Sequence, residues 1–197
     1  VRLGAVGFGE MTAEHFSMSD DHPYESVSPD HPLFLRLADI AAKHKMPIDL
    51  HMEAIPEEMP MPARFKSPNP KSLKANIAGF ERLLAHNRDA KIIWVHLGWC
   101  NTGKRTLALT RRLLTENPNL YMSIRIASGM VERGVSLPTF PLDRDGALKP
   151  EWIALFKEFP ERFLIGSDEI VKPANDHPSA GSIATTAAIL NDLPDDV

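Results

Sequence analysis

An α/β fold built around a parallel sheet is what this sequence predicts, on three observations. Short apolar runs of strand length alternate with segments whose apolar residues recur at three-and-four spacing, the pattern of repeated strand-helix units. Prolines gather after the strand runs rather than inside them. Polar side chains capable of chemistry stand at the ends of those runs, and the carboxyl ends of parallel strands are where such folds bind ligands.

The first strand is expected over Leu3 to Phe8, and Pro23, Pro29 and Pro32 stiffen the loop that leaves it. Helical spacing then runs from Leu33 to His44. Pro47 to His51 reads as the second strand, followed by a loop carrying Pro56, Pro60, Pro62, Pro68 and Pro70 and a helix over Ser72 to His86. Lys91 to His96 is the third strand, Lys104 to Glu116 the next helix, and Leu120 to Ile124 the fourth strand. Glu151 to Phe159 is helical, Arg162 to Gly166 is the fifth strand, and Ile183 to Leu190 closes the pattern as a helix. Pro70 and Pro150 stand near helix starts, and Asn117-Pro118 and Pro160 just past helix ends, as proline's fixed φ and missing N–H require. With 17 prolines in 197 residues, against a usual level of about 5%, the loops beyond the strands are long and stiff.

A chain of 197 residues that is 43% hydrophobic is long and apolar enough for a single domain, residues 1–197, with a sizeable core. The net charge of −4 arises from signs mixed along the whole length, so neither a basic nucleic-acid footprint nor an acidic tail is present. Cys100 is the one cysteine. It can form no intrachain disulfide and supplies no zinc-finger spacing, which fits a reducing, cytoplasmic location. The longest apolar runs, such as Ile92 to Val95 and Phe163 to Ile165, are far below the roughly 20 residues of a bilayer span, and no signal-peptide pattern opens the chain. The expected partner is a small-molecule substrate, without nucleic acid or membrane; a homo-oligomer is compatible with the composition.

Glu10 closes the first expected strand, His51 and Glu53 the second, His96 the third, Arg125 the fourth and Asp168 the fifth. Imidazole nitrogens and carboxylate oxygens together suit a divalent ion, zinc first and manganese or iron next, with an open position for water. Each residue also has a plainer reading. A strand-end His is commonly a satisfied structural residue, Asp168 can cap a following helix, and Glu10 can be an ordinary exposed carboxylate. Arg125 can pair with a neighbouring acid or clamp a substrate carboxylate. The two histidines gain weight together, because each directly follows a hydrophobic strand run. Trp94 and Trp99 read as packing or pocket wall, with Trp99 assigned to the substrate side. His15, His22, His31, His44, His86 and His177 fall in expected loops or helices, where solvation explains them.

Four short motifs carry a resemblance: Gly-Phe-Gly-Glu10, Pro47-x-x-x-His51, Ile-Trp-Val-His96-Leu-Gly and Leu-Ile-Gly-Ser-Asp168. In this order, with helical spacers, they are similar to the fourth, fifth, sixth and eighth strands of the amidohydrolase-related metal-dependent hydrolases, over nearly the whole chain. The resemblance implies a (β/α)8 TIM-barrel type of fold, of which about five strand-helix units are present. It implies His51 as metal ligand, His96 as ligand or transition-state stabiliser, Asp168 as general base, where the carboxylate taken alone reads as base or metal ligand, and Glu10 as the acid some members use as a ligand. The implied activity is hydrolysis of an amide, lactone or ester by a metal-activated water, with non-oxidative decarboxylation as the alternative on the same barrel. Two departures stand out. The family's first-strand His-x-His occurs nowhere in the chain, so the expectation is that this is the C-terminal part of a barrel whose first strands lie upstream. The residues after Asp168 run Glu169-Ile170-Val171-Lys172-Pro173 instead of the aromatic-Pro step of many members.

Two rival readings remain open at this point. Gly98-Trp-Cys-Asn-Thr-Gly103-Lys104 matches the first seven positions of a phosphate-binding loop, but Arg105 stands where Ser or Thr should hold Mg²⁺. Its plainer reading has Gly98 in a tight turn, Thr102 as a helix cap, and Lys104 and Arg105 on a solvated face. Cys100 is read as a small buried hydrophobe before a nucleophile. The other rival is a non-catalytic scaffold that has lost the first-strand ligands.

Overall fold

The computed structural model describes residues 3–18, 22–66, 68–126, 139–166, 168 and 182–194. Its main sheet has six strands: β1 (Phe8–His15), β2 (Glu25–Ser26), β3 (Ile48–Met52), β6 (Ile92–Leu97), β7 (Leu120–Ile124) and β8 (Phe163–Ile165). A separate ribbon pairs β4 (Met59–Pro60) with β5 (Ser72–Leu73). The helices are α1 (Pro32–His44), α2 (Ile77–His86), α3 (Leu107–Glu116), α4 (Pro150–Glu158) and α5 (Ser182–Ala188), the last running into a 3-10 turn at Ile189–Asp192. The sheet order is β2-β1-β3-β6-β7-β8. All its neighbours are parallel except the short antiparallel β2 at one edge. Five parallel strands therefore follow one another in chain order with a helix between each pair, as the alternation of patterns predicts. Among the described residues the sheet is open, with β2 and β8 at its edges, and no described helix is long and apolar enough to cross a membrane.

Burial alternates along the central strands. Ile48, Leu50 and Met52 of β3 and Leu120, Met122 and Ile124 of β7 are buried, while Asp49, His51, Tyr121 and Ser123 between them are only half-buried. Successive side chains point to opposite faces, so one face carries the core and the other stays accessible. The core face packs on Phe34 and Ala38 of α1, Phe80 and Leu83 of α2, Leu113 of α3, and Trp152 and Phe156 of α4. Trp94 fills its middle, fully buried, with Phe80 packed edge-on at 5.0 Å between ring centres.

Local sequence explains the helix ends. His31 caps α1 by accepting from the Leu33 N–H, Pro32 occupies the first turn, and Lys43 and His44 sit at the negative end of the helix dipole. Lys45 ends α1 in a left-handed conformation, φ 54°, and its N–H bonds back into the last turn. Pro150 likewise opens α4.

Several expected boundaries are corrected. The first strand is Phe8–His15, not Leu3 to Phe8: Leu3 and Val6 are 100% and 83% exposed. Parallel pairing with β3, rather than local hydrophobicity, selects the strand. The sheet gains β2, and the proline-rich connection gains the β4–β5 ribbon, where the five-strand reading had only loops. Ser72 and Leu73 are spent on that ribbon, so α2 starts at Ile77 and not at Ser72. The helix expected from Lys104 starts at Leu107, capped by Thr106, whose side chain accepts from the Leu109 N–H. Thr102 is not the cap; its hydroxyl donates to the Ala54 carbonyl at 2.6 Å.

Candidate metal centre

The accessible face of the sheet leads to a cluster at the carboxyl ends of β3 and β6, with β1 alongside. Pairing of β1 with β3 slips twice, between Phe8 and Met11 and between Thr12 and Glu14. Each slip leaves an extra residue on β1, and such bulges re-aim side chains. The first turns Glu10 toward β3 and β6. Gly9 permits it: a Cβ there would lie 2.8 Å from the Asp49 Cβ, so only glycine allows this approach. A second irregularity interrupts the β6–β7 pairing between Trp94 and Leu97, and His96 within it has φ 61°. Asp168 has φ 49°. Among the described non-glycine residues with left-handed backbone, these two belong to the cluster and Lys45 to a helix end, and strain of this kind concentrates at functional sites. Gly98, with φ 97°, follows His96 closely, where a Cβ would press to 3.0 Å from the Arg125 carbonyl.

Glu10 Oε1 accepts from His51 Nδ1 at 2.5 Å and from His96 Nε2 at 3.1 Å. The three donor atoms lie within 4.8 Å of one another. Asp168 Oδ2 stands 4.0 Å from His96 Nε2, beside this trio rather than in it, and 3.2 Å from Arg125 Nε. That arginine contact is an ion pair without hydrogen-bond alignment: Arg125 Nε is buried with no hydrogen-bond partner among the described residues. The Arg125 guanidinium stacks over the Trp99 ring at 5.0 Å. An open cleft of about 260 Å³ lies against the cluster, with Glu10, Asp49, His96, Ser123 and Asp168 among its walls.

Burial alone would favour the neutral form of Glu10, but the hydrogen bonds and charges of His51 and His96 outweigh it and hold the carboxyl well below the usual carboxylate range. Asp49 is pushed up, first by burial and then by the charge of Glu10. One carboxylate oxygen and two imidazole nitrogens, already converging on a small volume, are the donor set of a catalytic zinc-type site, which keeps a further position open. The residues present therefore fit a divalent ion.

Sequence reasoning placed Glu10, His51, His96, Arg125 and Asp168 at one rim and Trp99 on the substrate side, and the structure brings them together. Glu53 it does not. Glu53 is 4% exposed and its carboxylate accepts from the Asn101 backbone N–H at 2.9 Å and the Asn101 side chain at 2.5 Å. In the loop read as a rival phosphate cradle, the Asn101 N–H is thus already engaged by a protein carboxylate. Arg105 is not on a solvated face but 3% exposed, donating to the Val95 and Met52 carbonyls. Cys100 is buried in the core. His31, His44 and His86 behave as helix-end residues, His86 pairing with Asp39. His177 and residues 169–173 lie outside the described residues.

His15 departs from its solvated reading. It ends β1, with its ring 4.3 Å from that of His51 and 4.5 Å from that of His22. Its Nδ1 is buried without a hydrogen-bond partner among the described residues. Burial first, then the neighbouring imidazoles, push its pKa down to about 4. Nothing in the sequence could flag it while β1 was expected to stop at Phe8. Asp49 was legible: it stands two residues before His51, on the same face of a period-two strand.

Behind the cluster, Glu14 anchors β1 to its hairpin. Its carboxylate accepts from Tyr24 and Ser26, each at 2.6 Å. Burial, then the Glu14 hydrogen bond, push the Tyr24 phenol up to about 12 from 10.0. A folded value above the unfolded one means stability fully present below pH about 10 and lost as pH rises through about 12. The protein has two tyrosines, so a Tyr121→Phe variant isolates Tyr24. Alkaline titration of phenolate absorbance is expected to give a midpoint near pH 12 while the chain is folded, and a midpoint near 10 would refute the buried Tyr24–Glu14 bond.

A parallel strand-helix sheet that gathers carboxylate and imidazole donors beyond its carboxyl ends defines a class: α/β proteins with a metal-capable centre. The family model described as Amidohydrolase matches residues 1–197, and the chain belongs to the amidohydrolase family. No curated protein and no solved structure matches it.

Proposed function

We propose that this chain carries the centre of a divalent-metal hydrolase that cleaves an amide, lactone or ester bond in a small, carboxylated molecule. The observation that carries the reading is the convergence of Glu10 Oε1, His51 Nδ1 and His96 Nε2 within 4.8 Å beside an open cleft. Glu10, His51 and His96 would hold the ion, zinc first and manganese or iron as alternatives. Such an ion supplies a water acidified to near-neutral pH and Lewis-acid polarisation of a carbonyl.

The remaining roles fall to side chains beside the trio. Asp168 takes the proton of the attacking water, its carboxylate held between His96 and Arg125. Arg125 stacks on Trp99 and suits a substrate carboxylate, which a planar guanidinium binds through two parallel bonds. Trp99 forms the apolar wall beneath that contact. The same arginine suits decarboxylation, where the carboxylate itself is the leaving group, and this makes a decarboxylase the second reading.

The test is elemental analysis of the purified protein, followed by assays of zinc- and manganese-loaded chain on carboxylated lactones, esters and amides, with carbon dioxide release monitored in parallel. Near-stoichiometric metal and hydrolysis that a chelator abolishes and zinc restores are expected. Carbon dioxide release without hydrolysis replaces the first reading by the second, and a protein that takes up no metal sinks both.

A further inference from the structure

The ladder between β3 and β6 ends at the Leu50–Trp94 pair. His51 and His96 both lie beyond it, so ladder hydrogen bonds do not set the distance between the two imidazoles. Arg105 takes over that task. From the loop between β6 and α3 its side chain turns inward, where Nη1 donates to the Val95 carbonyl at 2.7 Å and Nη2 to the Met52 carbonyl at 2.8 Å. Val95 immediately precedes His96 and Met52 immediately follows His51. One rigid, planar fork thus spans the two strands, at the peptide that adjoins His96 on one and at the carbonyl of the residue after His51 on the other.

The guanidinium is itself held in place. It lies over the Trp94 ring at 4.0 Å, and the Trp94 indole N–H donates to the same Met52 carbonyl at 2.7 Å. Glu53, also buried, is the facing negative charge, and its carboxylate is occupied by Asn101 of the same loop. Desolvating a guanidinium is costly, and filling space between two strands needs no charge. What the charge adds is two directed bonds that join β3 to β6 past the end of their own ladder.

We propose that Arg105 is a positioning residue of the metal centre, fixing the separation of His51 and His96. The inference rests on the reading of Glu10, His51 and His96 as ligands. A lysine at 105 keeps charge and bulk but cannot bond both carbonyls in a fixed plane.

The experiment compares zinc affinity, by chelator competition on the folded 197-residue chain, in the parent and in Arg105→Lys, with urea unfolding of the zinc-free forms measured alongside. Partners behind metal ligands are worth on the order of 10- to 100-fold in affinity, and a loss of that size in folded Arg105→Lys is expected. A residue that only supports the fold would shift the urea midpoint and leave the zinc affinity of native molecules unchanged; that result overturns the positioning role while leaving the ligand reading intact. A parent that binds no zinc overturns both. If Arg105→Lys does not fold, Trp94→Phe removes the second donor to the Met52 carbonyl and keeps an aromatic ring beneath the guanidinium. Weakened zinc binding there supports the role, and parental affinity refutes it.

Discussion

His51→Ala is expected to lower zinc affinity by more than about 100-fold, beyond what outer partners contribute, and to remove metal-dependent turnover while the sheet stays folded. The imidazole is one of three converging donors, and its loss leaves one carboxylate and one histidine, too few to hold an ion against water. The fold tolerates the change because the side chain is on the accessible face, 14% exposed, whereas its neighbours Leu50 and Met52 are buried on the core face and keep β3 in place. Equilibrium dialysis against zinc, with circular dichroism as the control for folding, measures both halves. Parental zinc content in the variant would remove His51 from the site.

Asp168→Asn separates the two roles open to its carboxylate, ligand and general base. Asn keeps the size of the side chain and an oxygen for Arg125, but it cannot take a proton at neutral pH. With Asp168 Oδ2 standing beside the trio, 4.0 Å from His96 Nε2, zinc stoichiometry is expected to be retained. The turnover number should fall by roughly 10²- to 10⁴-fold, the usual worth of a positioned acid or base. Loss of zinc with loss of activity would instead make Asp168 a ligand, and unchanged turnover would exclude it from the chemistry.

Much of the architecture was legible because it rests on local pattern. Pro47 to His51, Lys91 to His96, Leu120 to Ile124 and Arg162 to Gly166 emerge as β3, β6, β7 and β8 within one residue at each end. The helix over Leu33 to His44 emerges one residue longer at its start, because its cap and proline signals are themselves local. Strand-end placement was enough to gather His51, His96, Arg125 and Asp168, since neighbouring parallel strands deliver their last residues to one rim, whereas Glu10, third in β1, joins them through the first register slip.

What failed did so where pairing with a distant segment overrides the local pattern. Leu3 to Phe8 is the more apolar stretch, yet polar residues such as Thr12 and Glu14 form the strand, because β3 offers its open edge to them. His15 entered the site only through that shift. Glu53 reads as a rim residue and Arg105 as part of a solvated face, and only the fold turns them inward, toward Asn101 and toward the Val95 and Met52 carbonyls.

By itself, then, the amino-acid sequence determined the succession of strands and helices and the set of side chains that reach the rim, both consequences of periodicity along a few consecutive residues. Tertiary structure alone decided the register slips that aim Glu10 and His96, the burial of Glu53 and Arg105, and the choice of which rim residues touch. Those outcomes depend on distances between residues tens of positions apart, which no local period encodes.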